Sequence, residues 1–244
     1  LSDFFKENPK VALAFSGGVD STYLLYVAKQ YAEDVTAYYV KSDFQPQFEL
    51  DDAKSIAKQL DVNIKIIALD HFANPDVINN DSERCYYCKL KIFSTILDQA
   101  EVDGYPVLLD GTNASDDSAE RPGMRVLTEL KIKSPLCECS LTKSDIRKFS
   151  AKAGLPTANK PAYSCLATRI PHGMKITKEK LQATEKAENY LFKLGFTDFR
   201  IRHLGDYAQI QLAANDFALF FELRERIFTE LNKYYPKIFL DLKP

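Results

Sequence analysis

A short run rich in glycine and hydroxyl residues, Ser16-Gly17-Gly18-Val19-Asp20-Ser21-Thr22, restricts the fold of this 244-residue chain more than any other segment. The apolar run 11–15 before it is typical of a buried strand, and the segment after it has the apolar spacing of a helix. Glycines at the end of a strand let backbone N–H groups approach an anion, and the N-terminus of the following helix adds partial positive charge. The run therefore predicts an anion-binding loop between a strand and a helix. It is not a Walker A loop, because the lysine and the spacing of that motif are absent.

Strand-like and helix-like segments alternate up to about residue 160. We predict strands at 11–15, 35–41, 62–68 and 106–110, and helices at 20–32, 46–60, 86–101 and 142–153. This alternation predicts an α/β fold with a mostly parallel sheet and helices on both faces, in which ligands bind beyond the carboxyl ends of the strands. The segment Asp110-Gly111-Thr112-Asn113 ends the fourth predicted strand, so we expect it at the same edge as the glycine-rich loop.

The pattern changes after about residue 175. A predicted helix at 177–194 ends at Gly195, which suits the residue after a helix, and Gly205-Asp206 suits a hairpin turn. The predicted elements are a helix, two strands at 197–204 and 206–212, a helix at 215–234 and a strand at 237–242. We therefore expect two domains, an α/β domain over 1–172 and a small α+β domain over 173–244.

Composition excludes several classes of function. The chain is 45% hydrophobic and 27% charged, and its net charge is -2, so nothing indicates nonspecific binding to nucleic acid or membranes. No apolar run approaches the roughly 18 residues of a membrane span, and the first residues do not resemble a signal peptide. A cytoplasmic location is the expectation. His71, His172 and His203 are scattered and are expected to have surface or core roles rather than catalytic ones.

An odd number of cysteines, five, favours metal binding or thiol chemistry over a disulfide framework. Cys85 and Cys88 form a CxxC pair at the start of a predicted helix, which suits a metal, a cluster or a redox site. Cys165 lies in a predicted loop near Arg169, where it is either a site residue or a small buried side chain. Cys137 and Cys139 would point the same way on an extended segment; incidental or core cysteines are favoured there over a sulfur relay.

Five motifs occur in order over most of the chain: SGGVDST, RCYYCK, DGTN with a following Arg121-Pro122-Gly123, SPLCE and SCLATRIPHG. The first resembles the pyrophosphate-binding loop of the PP-loop ATP pyrophosphatase superfamily, whose members split ATP to AMP and pyrophosphate. Together the five resemble the LarE family of ATP-dependent sulfur transferases, which act in the biosynthesis of the nickel-pincer nucleotide cofactor. The resemblance implies a PP-loop domain followed by a small C-terminal domain, a homo-oligomer, and a pyridinium-3,5-dicarboxylate mononucleotide as substrate.

The resemblance also implies roles for individual residues. It implies that ATP is bound by Ser16, Gly17, Gly18, Asp20, Ser21, Thr22, Gly111, Thr112 and Asn113. It implies catalytic roles for Lys89, Asp20 (with Mg²⁺) and Arg169, and a site for the substrate phosphate at Arg200, Arg202 and Glu188. One style of the family sacrifices the sulfur of a single cysteine. The other holds a 4Fe-4S cluster with three cysteines and leaves one iron open to sulfide; this chain resembles the second style, with Cys85, Cys88 and Cys165 as ligands.

Three alternatives remain open from sequence. A tRNA thiolase of the same superfamily also uses a CxxC pair, but the chain lacks a basic stripe. An amidotransferase-type PP-loop enzyme would use ammonia and leave the cysteines without a purpose. A zinc-stabilised nucleotide-binding module would bind ATP without releasing pyrophosphate, and it would need a fourth metal ligand.

Overall fold

The computed structural model describes residues 1–116 and 122–243, and the chain divides into two compact units. Unit 1 comprises Leu1–Ser42, Gln47–Asp70 and Glu83–Ala162; unit 2 comprises Asp43–Pro46, His71–Ser82 and Tyr163–Pro244. Residues 163–172 thus group with the C-terminal residues by their contacts. The predicted boundary after residue 172 separates two domains that we expect to fold independently. This boundary stays a prediction.

A four-stranded parallel sheet with the order β3-β2-β1-β4 forms the centre of unit 1. Its strands are β1 (Lys10–Ala14), β2 (Asp34–Lys41), β3 (Asn63–Ala68) and β4 (Val107–Leu109). These confirm the four predicted strands to within one residue at each end. β1 pairs with β2 on one side and with β4 on the other, so the strand order reverses between β1 and β4. Ligands of open α/β sheets bind at such a switch point, and the glycine-rich loop follows β1 there.

Helices cover both faces of this sheet, as predicted. The first eight helices are α1 (Ser2–Glu7), α2 (Val19–Tyr31), α3 (Gln47–Gln59), α4 (Pro75–Ile78, in unit 2), α5 (Arg84–Val102), α6 (Arg125–Glu129), α7 (Pro135–Glu138) and α8 (Lys143–Lys152). Val11 and Leu13 of β1 pack with α2 and α3, whereas Ala12 between them packs with α5. Alternate residues of a strand point to opposite faces, so one buried strand supports a core on each side.

Four of these helices were predicted and four were not. The predicted helices correspond to α2, α3, α5 and α8, but α5 begins two residues early and therefore contains both cysteines of the CxxC pair. The helices α1, α4, α6 and α7 span six residues or fewer. Elements this short carry too few apolar positions to show a helical period in the sequence.

Unit 2 contains the predicted α+β module. Its elements are α9 (Lys178–Lys193), β5 (Phe199–Leu204), β6 (Tyr207–Leu212), α10 (Phe217–Leu231) and β7 (Ile238–Leu240). β5 and β6 are antiparallel, and β7 joins β6 in parallel. Gly195 follows the end of α9 with φ +98°, and Gly205 in the β5–β6 turn has φ +64°, as the two turn predictions require. The inward side chains of the sheet, including Ile201 and Ile210, pack with α9 and α10 in a separate core.

Of the helices in residues 1–116 and 122–243, none is both long enough and apolar enough to cross a bilayer.

Candidate functional site

The glycine-rich loop closes on itself through its hydroxyl groups. Ser16 and Ser21 share a hydrogen bond between their Oγ atoms at 3.1 Å, and Ser21 Oγ donates to the Gly18 carbonyl at 3.3 Å. Gly17 has φ +71°, and a Cβ there would lie 3.3 Å from Ala53 of α3. A side chain at Gly17 would meet both a strained backbone and a close neighbour. The loop is thus a compact turn that leads directly into the N-terminus of α2.

Two oxygens in the first turn of α2 are enclosed but lack hydrogen-bond partners among the described residues. They are Asp20 Oδ1 and Thr22 Oγ1, and Thr22 is fully buried. The second carboxylate oxygen of Asp20 accepts a hydrogen bond from Lys143 Nζ at the start of α8. Buried polar atoms are nearly always satisfied, so these two oxygens indicate a missing partner. A carboxylate oxygen is the type of ligand that Mg²⁺ prefers.

The segment after β4 lies against this loop. A Cβ on Gly111 would come within 3.0 Å of the Ser21 nitrogen, so the close approach of the two loops requires glycine. Asp110 is buried and accepts hydrogen bonds from Thr112 and, at 2.6 Å, from Ser134 Oγ. Burial raises the pKa of the Asp110 carboxyl, against the two hydroxyl donors and the charge of Lys89, which lower it. This carboxyl therefore interacts with two predicted site residues, with Thr112 through a hydrogen bond and with Lys89 through its charge.

Asn113 shapes its own loop. Its side chain donates to Asp116 at 2.9 Å and accepts from the Ser115 N–H at 2.9 Å, and the residue is 2% exposed. Ser115 Oγ in turn accepts from the Lys143 N–H at 3.0 Å. The segment after β4 thereby places the start of α8, and with it the ammonium group that meets Asp20.

Lys89 reaches from α5 toward the end of β4. Its Nζ lies 3.8 Å from the sulfur of Met124, and its charge acts on Asp110. A Cβ on Gly123 would lie 2.7 Å from Lys89 Cδ, so glycine gives this lysine its path. Arg121 of the Arg-Pro-Gly motif lies outside the described residues.

Cys85 and Cys88 occupy the first turn of α5, and residues three apart share a helix face. Cys85 is exposed, Cys88 is half-buried, and Arg84 Nη2 lies 3.5 Å from Cys85 Sγ. Cys165 is half-buried and belongs to unit 2, where it precedes a short 3₁₀ helix and interacts electrostatically with Arg169. Over residues 1–116 and 122–243, no three His, Cys, Asp or Glu side chains are gathered as a ready metal-binding group.

The interpretation of Cys137 and Cys139 requires a correction. Both are exposed, so neither is a core residue. Cys137 lies in α7, and Cys139 caps it with φ -88° and ψ 11°, so the segment is helical and not extended. Two residues apart on a helix point to nearly opposite sides, and the two thiols do not share the direction expected of an extended segment.

Arg169 and Glu188 form a fully buried ion pair in unit 2. Arg169 Nε donates to Glu188 Oε1 at 2.7 Å, and their side chains are 0% and 1% exposed. Glu188 also accepts from Tyr163 Oη at 2.5 Å and from the Ile201 N–H at 2.9 Å. Burial opposes the charge of Arg169, but the hydrogen bond and charge of Glu188 outweigh it and raise the pKa of the guanidinium.

Arg200 and Arg202 lie on the same side of β5, next to this pair. The guanidinium of Arg169 lies 4.8 Å from the centroid of the Tyr163 ring and that of Arg200 lies 5.6 Å from it. Arg202 donates to Gln211 Oε1 at 2.5 Å and to the Thr168 carbonyl at 3.0 Å. Burial, and then repulsion from Arg169 and Arg200, lower the pKa of Arg202. Three guanidiniums share the buried carboxylate of Glu188 and the exposed carboxylate of Asp198, which lies 3.6 Å from Arg200. One positive charge remains in excess, and an anion would balance it.

The histidines have the surface or core positions expected. His71 and His203 are each 2% exposed, and His203 Nε2 lies 2.9 Å from Thr184 Oγ1 and 3.3 Å from Tyr235 Oη. Burial lowers the pKa of His203. His172 is exposed, with its Nδ1 3.2 Å from the Asp81 carbonyl.

Sequence reasoning missed three polar residues around the loop, Asp52, Lys143 and Lys160, and it placed Asp110 at the sheet edge without giving it a role. Thr142 and Asp145 form a capping box that marks the start of α8, but the direction of the Lys143 side chain depends on the Ser115 contact. No local pattern marks Lys160, which contacts Gly17 across 143 residues of sequence.

The sheet order, the glycine-rich loop after β1 and the enclosed oxygens of α2 define a protein of the PP-loop superfamily. The family model "Queuosine biosynthesis protein QueC" matches residues 10–80, which contain β1, the loop, α2, β2, α3 and β3.

Comparison with curated proteins identifies the family within this superfamily. The chain is 32% identical to the pyridinium-3,5-bisthiocarboxylic acid mononucleotide synthase of Lactiplantibacillus plantarum, over 93% of this chain and 83% of that protein. It is 36% identical to an uncharacterized protein of Synechocystis, over 100% of this chain and 92% of that protein. A tRNA-specific 2-thiouridylase of Clostridium botulinum is more distant, at 24% identity over 76% of this chain and 62% of its own length. The chain therefore belongs to the LarE family of the Lactiplantibacillus synthase.

Proposed function

We propose that this protein is an ATP-dependent sulfur transferase that acts on pyridinium-3,5-dicarboxylate mononucleotide. A ring carboxylate oxygen attacks the α-phosphorus of ATP, pyrophosphate leaves, and an acyl-adenylate forms. Sulfide sulfur then attacks the acyl carbon, and AMP leaves with the original oxygen, which gives a thiocarboxylate. The observation that carries the proposal is the phosphate loop with two enclosed, unsatisfied oxygens at Asp20 and Thr22, in a chain of the LarE family.

In this proposal the phosphate loop and α2 bind the triphosphate. The backbone N–H groups of Gly17 and Gly18, with the hydroxyls of Ser16, Ser21 and Thr22, are the donors, and the N-terminus of α2 adds positive charge. Asp20 Oδ1 is the protein ligand for Mg²⁺. Lys89 balances negative charge that develops on the leaving pyrophosphate, and Gly111 lets the segment Thr112–Asn113 approach the nucleotide.

The arginine cluster of unit 2 is proposed to bind the phosphate of the substrate nucleotide. Arg200 and Arg202 supply the donors, because each is only partly buried and their mutual repulsion favours an anion. Arg169 and Glu188 position this cluster. Glu188 accepts hydrogen bonds from Tyr163 and from the backbone of β5, and Arg169 neutralises the charge of Glu188.

A 4Fe-4S cluster is proposed as the sulfur-carrying cofactor, with Cys85, Cys88 and Cys165 as ligands. The donor chemistry supports this proposal, because two thiols share one face of α5, Cys165 interacts electrostatically with Arg169, and cysteine thiolates are the usual ligands of such clusters. When bound by three cysteines, the cluster supplies one iron that can hold sulfide. The three cysteines of the protein would hold the cluster, and Cys165 would keep its own sulfur during the reaction.

A homo-oligomer is proposed as the working form. Unit 2 exposes large apolar side chains, including Phe221 at 54%, Phe228 at 53% and Phe239 at 46%, and exposed apolar surface is what subunit contacts cover. Sedimentation of the purified protein tests this, and a monomer at micromolar concentration would contradict it.

The deciding experiment supplies anaerobically prepared protein with Mg-ATP, sulfide and the dicarboxylate mononucleotide, and measures pyrophosphate and the mass of the nucleotide. Pyrophosphate release together with a gain of 16 mass units, the difference between sulfur and oxygen, supports the proposal. Unmodified tRNA in parallel tests the thiolase alternative. Sulfur incorporation into tRNA and not into the mononucleotide would overturn our assignment of the substrate.

A further inference from the structure

We propose that Lys160 is a positioning residue of the phosphate loop, and that it holds the peptide between Gly17 and Gly18 in the orientation that binds phosphate. The inference rests on the proposed use of ATP. Lys160 Nζ donates to the Gly17 carbonyl at 3.2 Å and to Asp52 Oδ2 at 2.7 Å. The carbonyl of the loop is thereby fixed by a charged donor from a distant part of unit 1.

The orientation of this peptide decides what a phosphate meets. In a trans peptide the C=O and N–H groups point in opposite directions. With its carbonyl turned to Lys160, the Gly17–Gly18 peptide turns the Gly18 N–H to the other side, toward Ser16 Oγ at 3.4 Å. That contact is long for a hydrogen bond, and the N–H therefore remains a good donor for an anion that enters the loop.

Two consecutive glycines make this peptide easy to flip. Glycine adopts positive and negative φ at similar cost, and Gly17 already has φ +71°. A flipped peptide would present the negative end of the carbonyl to the phosphate and remove the N–H donor. The ammonium of Lys160 opposes the flip, because its charge-assisted hydrogen bond to the Gly17 carbonyl exists only in the unflipped state.

Lys160 is itself held through both its side chain and its backbone carbonyl. Its side chain is 20% exposed and paired with Asp52 on α3, one residue before Ala53, which packs against Gly17. Its backbone carbonyl accepts from Arg147 Nη2 at 3.0 Å, and Arg147 Nη1 donates to the Ala158 carbonyl at 2.6 Å. A lysine fixed in this way provides a rigid reference for the loop, which surface lysines do not.

The test compares Mg-ATP binding by calorimetry in the wild type and in Lys160→Met, Lys160→Arg and Lys54→Met. Lys54 is an exposed lysine on α3 and serves as the matched control. We expect Kd for Mg-ATP to rise about tenfold or more in Lys160→Met, the effect of one charge-assisted hydrogen bond, with partial recovery in Lys160→Arg and no change in Lys54→Met. If Lys160→Met is insoluble, Lys160→Gln replaces it.

Binding separates this inference from the proposed function. Wild-type protein that binds Mg-ATP but releases no pyrophosphate would contradict the proposed reaction. The ratio of the Kd of Lys160→Met to that of the wild type would still test the role of Lys160. A Lys160→Met variant with a lower melting temperature but unchanged Kd would show a merely structural residue and overturn the inference. A wild type that does not bind Mg-ATP would overturn both.

Discussion

Replacing Glu188 by glutamine isolates the charge of the most deeply buried ion pair that the structure describes. The glutamine retains an acceptor for the Ile201 N–H but leaves the charge of Arg169 uncompensated in a site with 0% exposure. Removing one partner of a buried pair costs about 3–5 kcal/mol, because the remaining charge has lost its solvation by water. That is a large share of the roughly 5–15 kcal/mol that stabilises a typical domain.

Equilibrium unfolding in urea, followed by far-UV circular dichroism, measures this loss. At about 2–4 °C per kcal/mol for a chain of this size, we also expect the melting temperature to fall by at least about 6 °C. Glu222→Gln is the matched control, because Glu222 is an exposed glutamate on α10. It should lie within about 0.5 kcal/mol of the wild type.

A double variant sharpens the argument. Combining Arg169→Met with Glu188→Gln removes the stranded charge, keeps the acceptor for the Ile201 N–H, and should recover much of the stability that Glu188→Gln alone loses. If Glu188→Gln unfolds within about 1 kcal/mol of Glu222→Gln, the reasoning from buried charge is refuted. The same holds if the double variant is less stable than Glu188→Gln.

Three further predictions follow from other parts of the molecule. The lowered pKa of His203 means that the unfolded chain binds a proton more readily than the folded one. The contribution of His203 to stability is therefore full above about pH 6.5 and falls as the pH drops toward the folded pKa. Urea midpoints at pH 8 and 5.5 should differ more in the wild type than in His203→Gln, and equal differences would contradict this. Alanine at any proposed cluster ligand should abolish bound iron and acid-labile sulfide, whereas alanine at Cys137 or Cys139 should leave both unchanged; full iron in Cys165→Ala would exclude the three-ligand set. Gly123→Ala should slow pyrophosphate release, because its Cβ would lie 2.7 Å from Lys89 Cδ and displace that side chain; an unchanged rate, with correct folding by circular dichroism, would contradict the need for glycine along the path of Lys89.

The strand and helix pattern of unit 1 was predictable because buried parallel strands and amphipathic helices leave strong local periodicity. The same reasoning failed for α7, where exposed Cys137 lies on a four-residue helix and exposed Cys139 caps it, so the segment is not extended. A serine followed by a proline at the first helical position is a usual start of a helix, and the prediction of an extended segment did not use this signal. Ser134, the residue before α7, donates a hydrogen bond to Asp110 at the end of β4, and this tertiary contact positions the start of the helix.

The sequence by itself determined the phosphate loop, its place after β1 and the family motifs, because glycine spacing and apolar runs are local properties of the chain. Only the tertiary structure decided which side chains serve that loop. Lys143 meets Asp20 across 123 residues and Lys160 meets Gly17 across 143, and Arg169 finds Glu188 inside the core of unit 2. The packed backbone brings each of these pairs together, and for Arg169 full burial makes such a partner necessary, whereas sequence distance carries no record of the pairing.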